Sequence, residues 1–218
     1  MSEVTITVRG EHEARVIPEQ ATVHLTVRTE GPERAAVLDA AGRAADPVRE
    51  SLRAGSETAL LVEWSSTRLA VRAERPWNAE GRRLAPVFHA SIDFTATFSD
   101  FSALSLWVSE ISENEAVEIG HVDWRLTPET RRRIEQDVAT EAIQVAVRRA
   151  EAYATALGRA EVVPVSIADQ GLLQRQESAA PMLRAVAFAA DSAAGAGMDF
   201  QPADIVVSAT IEARFTAR

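Results

Sequence analysis

Phe88, Ala90, Ile92, Phe94, Ala96 and Phe98 place an apolar side chain at every second position over eleven residues. His89, Ser91, Asp93, Thr95 and Thr97 fill the positions between them. Successive side chains of a β-strand point to opposite faces, so only a strand half-buried in a sheet puts the first set in a core and leaves the second on the other side. The same alternation recurs at Val4–Val8, Ala21–Arg28 and Ile205–Phe215, where Ser208, Thr210, Glu212 and Arg214 are read as outward-facing. Leu60–Ala73, Val117–Leu126 and Val162–Ile167 read as further strands, and a change of phase near Gly120 suggests a bulge.

Helical spacing separates these strands. Val37, Ala41, Ala44, Val48 and Leu52 form one stripe, ended by Gly55. Pro47 inside it predicts a kink, or a break with Asp46 closing the first piece. Asp100 is placed to cap a second helix with the stripe Phe101, Leu104, Trp107, Val108 and Ile111. Thr127-Pro128-Glu129 combines a capping hydroxyl, a proline at the first helical position and an early acid, and so starts a long helix over about 128–157. Its expected stripe is Ile134, Val138, Ala142, Val145, Arg149, Ala152 and Ala156, with Gly158 as a left-handed stop.

The resulting order is β-β-α-β-β-α-β-α-β-β. The expected class is α+β: a mixed, largely antiparallel sheet with helices gathered on one face. The portion from the second strand to Leu126 runs β-α-β-β-α-β, a split arrangement. The 218 residues are expected to form one domain, 1–218, with a flexible loop at about 171–203 that has room for one short strand at Leu183–Phe188.

Composition removes several chemistries. The chain has no cysteine, which excludes thiol nucleophiles, thiolate metal sites and disulfides. All 23 basic residues are arginine, so a Schiff-base lysine, a phosphate-loop lysine and a Ser-Lys dyad are excluded as well. A net charge of −9 disfavours duplex nucleic acid, and Arg131-Arg132-Arg133 reads as a solvated helical turn rather than a binding patch. The start, Met1 to Thr5, has no basic or apolar leader, and no apolar run reaches membrane-spanning length; the expectation is a cytoplasmic chain without membrane insertion.

Candidate site residues are sparse. His12-Glu13 opens like a zincin motif, but Val16 stands where its second histidine belongs. Should two strands align, His89 and Asp93 would approach His121 and Asp123 and could hold a metal, while His24 sits on a polar strand face; surface histidine is the preferred reading of all of them. Gly195-Ala196-Gly197-Met198-Asp199-Phe200 mimics the start of a dinucleotide fingerprint but lacks the last glycine and a preceding strand. Ser65-Ser66-Thr67 is a hydroxyl cluster without a neighbouring histidine. Trp64, Trp107 and Trp124 read as core, whereas Trp77, in a loop with Arg75, Asn78 and Arg82, is a candidate contact residue. No catalytic, cofactor-binding or metal-ligating residue is assigned, and no cofactor is expected.

Four stretches, in this order and spacing, carry a resemblance to a known family. They are Val4–Glu11 with its Gly10-Glu11 turn, Ile17–Val23 with Pro18-Glu19-Gln20-Ala21, Ala146–Gly158 ending in an Ala-x-x-Leu-Gly pattern, and the final strand after Gln201-Pro202-Ala203-Asp204. Together they resemble the SIMPL domain family, a bacterial group with some animal members. Glu19 stands where the family usually has Asp, Ala203 where glycine is common, and residues 56–84 depart most from a stretch that is more polar and contains tyrosine in the family. The resemblance implies no catalytic residue. It implies links to the cell envelope, oxidative-stress defence and self-assembly, and in animals to kinase-associated signalling.

The expected function is therefore non-enzymatic: association with itself as a homo-oligomer, or with another protein, with a stress-related role in view. The alternative is a small-molecule or peptide-binding module using the 171–203 loop and Trp77 as a lid. Behind both stands a metal-dependent hydrolase using His89, His121 and nearby acids.

Overall fold

The computed structural model describes residues 3–58, 61–173 and 200–218. The elements run β1 (Val4–Val16), β2 (Gln20–Gly31), α1 (Arg34–Glu57), β3 (Leu61–Glu74), β4 (Val87–Phe98), α2 (Phe101–Ile111), β5 (Val117–Arg125), α3 (Pro128–Ala156), β6 (Val162–Asp169) and β7 (Ile205–Ala217). The class is α+β, in the order read from the sequence. Most of the 171–203 loop, including Leu183–Phe188 and the glycines at 195 and 197, lies outside the described residues.

The strands form two antiparallel sheets, β1-β7-β6 and β3-β4-β2-β5, where the sequence predicts a single mixed, largely antiparallel one. Alternation reports which face of a strand is buried but not which strand it pairs with. Although β1 and β2 are neighbours in sequence, β1 pairs along its whole length with β7, from Val4↔Ala217 to Val16↔Ile205, and β2 pairs with β4 and β5. The chain correspondingly divides into two compact units, one holding β1, α3, β6 and β7, the other β2, α1, β3, β4, α2 and β5. The strand order of the second is the split order that its β-α-β-β-α-β succession predicts.

In the four-stranded unit, α1 and α2 cover one face of the sheet. Val37, Ala41, Ala45, Val48 and Leu52 of α1, with Leu104, Trp107, Val108 and Ile111 of α2, pack on Ala21, Val23, Leu25 and Val27 of β2 and on the even-numbered apolar residues of β4. Each Leu, Val or Phe fully buried here contributes roughly 1.5–3 kcal/mol relative to exposure. Asp100 caps α2 as expected: its Oδ1 accepts from the backbone N–H groups of Ser102 at 2.8 Å and Ala103 at 3.1 Å. Helix α1 continues through Pro47 instead of breaking at Asp46, and runs past Gly55 to Glu57. Arg49 Nη1 donates to Asp46 Oδ1 at 2.8 Å and to the Gly42 carbonyl at 3.3 Å, tying together the turn where Pro47 removes a backbone donor.

In the three-stranded unit, the buried face of α3 is Val138, Ala142, Ala146, Ala150 and Ala154. That is a rotation from the expected stripe: Arg149, Ala152 and Ala156 are exposed. Residues four apart share a helix face as readily as the mixed spacing first read, and the alanine set wins because its small side chains let the helix settle against the sheet. Gly158, with φ of 68°, ends the helix as expected. Glu212, expected to face outward, is buried at 7% exposure and lies 3.6 Å from Arg9 Nη2. No helix among the described residues is long and apolar enough to cross a membrane.

Candidate functional site

The face of the four-stranded sheet opposite α1 and α2 is polar, because β2 and β4 alternate. Its hydroxyls and acids are knitted across the strands. Thr22 and Thr97, both 4% exposed, share a hydrogen bond of 2.9 Å between their hydroxyls. Thr26 donates to Asp93 Oδ1 at 2.9 Å, and Ser65 pairs with Thr95 at 2.8 Å. Arg28 and Glu118 form an ion pair of 2.6 Å. A groove of about 850 Å³ crosses this face, with Arg28, Arg68, Arg72, His89, Glu30 and Asp93 among its lining residues.

Among the described residues, a cluster of potential metal ligands, His24, His121 and Asp123, lies on β2 and β5. Thr22 faces Asp123 and Val23 faces Val122, but Leu25 faces Ile119, so β5 has one residue more than β2 at this point. The bulge falls at Gly120-His121, where the sequence phase change suggested it. It lets Val117, Ile119, Val122 and Trp124 all pack toward the core, while His121 remains beside His24. Glycine suits the site: a Cβ at position 120 would come within 3.0 Å of the His24 carbonyl oxygen. The two imidazoles stack with centroids 4.2 Å apart and planes 11° from parallel. Asp123 Oδ2 is hydrogen-bonded to His24 Nε2 at 2.9 Å and lies 3.6 Å from both His121 Nε2 and Arg125 Nη2.

The cluster differs from the one considered from sequence. His89 and Asp93 do not join His121 and Asp123. His89 lies in register with Glu30 and Arg72, and its ring nitrogens face Glu30 at 3.3 Å and Glu74 at 3.7 Å. Asp93 is taken by Thr26. The strand order explains this: β2 lies between β4 and β5, so the histidine that meets β5 comes from β2. His24 was legible as a polar-face residue; its partner was not, because no pattern in one strand names its neighbour.

The remaining sequence candidates are dispersed. His12 is on β1, exposed and opposite Ala209. Arg131 and Arg133 are matched by Glu135 and Asp137 one turn on, at 3.9 and 3.8 Å, and Arg132 donates to the Pro128 carbonyl at 3.1 Å. Trp107 and Trp124 are core residues: the Trp107 indole donates to Ser51 Oγ at 2.7 Å, and Trp124 meets Phe101 edge to face at 5.0 Å. Trp64 packs partly buried against the same core.

Trp77 is the exception, as its loop position suggested. It is 62% exposed in the β3–β4 connection, with the Arg83 guanidinium 4.9 Å from its ring centroid. The connection is ordered by Asn78, whose Oδ1 accepts from Glu80 N at 3.1 Å and Arg82 N at 2.8 Å. Leu69 on β3 and Leu84 in the connection are also exposed, at 61% and 46%.

A family model described as SIMPL, a protein of unknown function (DUF541), matches residues 6–215. The chain belongs to the SIMPL family. The match spans both compact units, so the two sheets and their helices are both part of what defines a SIMPL protein here. Among curated proteins, none matches this SIMPL chain.

Proposed function

We propose that this SIMPL protein is a non-enzymatic association module that pairs with a second copy of itself through the edge of β3 that no strand among the described residues covers. One observation carries the reading. β3 is a 14-residue strand at the end of its sheet, and Leu69 on it is 61% exposed although it lies in register with Ile92 on the helix-covered face. A strand edge with free backbone groups is a template for another strand.

The sequence of β3 suits a copy of itself. Its last seven residues, Arg68–Glu74, pair regularly with β4, whereas bulges interrupt the strand before them. In an antiparallel pair of β3 strands about a two-fold axis at Val71, Arg68 faces Glu74 of the other copy, twice over, and Leu69 faces Ala73. Such an interface is isologous and closes at a dimer. Trp77 and Leu84 flank it and would add apolar contact.

Light scattering over micromolar concentrations tests this directly, with a dimer expected. Arg68→Glu should shift the particle toward monomer, and adding Glu74→Arg should restore the dimer. A particle that stays monomeric throughout, or a dimer indifferent to both changes, sinks the reading.

A further inference from the structure

We propose that His24, His121 and Asp123 form a binding site for a divalent transition-metal ion of the zinc class. One ligand atom from each lies within 4.8 Å of the other two. For a tetrahedral ion with metal–ligand bonds of about 2.0–2.1 Å, ligand atoms sit roughly 3.3–3.4 Å apart. The Asp123 oxygen is 2.9 Å from His24 Nε2 and 3.6 Å from His121 Nε2, which brackets that spacing. Two imidazoles and one carboxylate make a donor set suited to zinc and its first-row neighbours rather than to calcium or magnesium.

The supporting scaffold is an observation separate from the ligands. The bulge at Gly120 brings a second histidine against the first, and bulges are over-represented at sheet edges, such as β5, and next to active sites, where they re-aim a side chain. Two stacked rings sharing one carboxylate oxygen are not needed to hold β5 on β2, since the backbone pairs continue on either side of the bulge. Binding requires two movements. The rings, 11° from parallel, must tilt so that both lone pairs converge, and His121 has the freedom to do so because its side chain is 68% exposed. Arg125 must swing off Asp123, which its half-exposed side chain permits. Three protein donors leave a fourth tetrahedral position for water or an incoming ligand.

The proposal does not rest on self-association: β5 and β3 are opposite edges of the sheet. The chain is favourable for the test because it has four histidines and no cysteine, so background sites are few. Tag-free full-length protein would be titrated with zinc chloride by calorimetry and with cobalt(II) by visible absorption. One ion per chain is expected, with the intense visible bands of a tetrahedral cobalt site. Losing even an outer hydrogen-bond partner typically weakens metal binding about 10–100-fold. His24→Ala, His121→Ala and Asp123→Asn should therefore each weaken zinc at least about 100-fold, while His89→Ala and His12→Ala leave it unchanged. Should His24→Ala fail to fold, the exposed His121 carries the test alone. Absence of zinc binding below millimolar concentration, or binding that survives His121→Ala, overturns the proposal.

Discussion

A Cβ atom on Gly10 would collide with the backbone carbonyl oxygen of Ala142 and reach 3.0 Å from the Ala146 Cβ. β1 and α3 are in contact at this point through backbone, with no side chain between them. Backbone cannot yield as the end of a flexible side chain can, so Gly10→Ala must push helix and sheet apart along the buried alanine face. The expected loss is about 1–3 kcal/mol, the usual range for overpacking, read as a lower urea midpoint by circular dichroism. A midpoint equal to that of the parent would mean that the helix seats more loosely than the contact implies.

Gly42 is the opposite case. It lies inside α1, and a Cβ there would meet nothing within 4 Å. Gly42→Ala should therefore raise stability by roughly 0.5–1 kcal/mol through helix propensity alone. Melting temperatures of the parent and the variant, compared side by side, decide the sign.

The Thr22–Thr97 hydroxyl pair predicts non-additivity. Removing one hydroxyl by Thr97→Val strands the other in a buried setting, at a cost of about 1–3 kcal/mol. Thr22→Val with Thr97→Val removes both needs at once and should recover most of that loss. A double-mutant cycle by chemical denaturation measures the coupling, and simple addition of two losses would show that solvent reaches the pair.

Asp100 supplies the N-cap of α2, the helix that brings Leu104, Trp107 and Val108 to the core. Asp100→Ala should cost about 1 kcal/mol and Asp100→Asn much less, since the amide oxygen can still accept from the helix. Thermal unfolding of the two variants separates the hydrogen bond from any effect of charge.

Much of the local structure was legible. The β4 alternation, the Asp100 and Thr127 caps, the Gly158 stop and the Gly120 bulge all appear where residue chemistry places them, because each depends on neighbours in sequence. The buried stripe of α3 is rotated from the one its spacing predicts, since an alanine-rich helix has more than one face small enough to bury and only the partner selects among them. Glu212 reads as outward on its strand, and its burial beside Arg9 comes from a residue 203 positions away. The metal-capable trio was half legible: His121 and Asp123 share a strand face, but His24 joins them only through the pairing of β2 with β5.

By itself, then, the sequence determined which segments are strands and helices, which face of each is apolar, and which chemistries are closed to a chain without cysteine or lysine. Only the tertiary structure decided that the strands divide into two sheets, that Gly10 meets Ala142, and that His24 rather than His89 lies beside His121. The reason is physical. Burial is written in side chains, and side-chain periodicity survives in a linear string. Strand pairing is made by backbone N–H and C=O groups that every residue but proline carries alike, so beyond the strand order that the β-α-β-β-α-β succession implies the string holds no comparable mark of which residues meet.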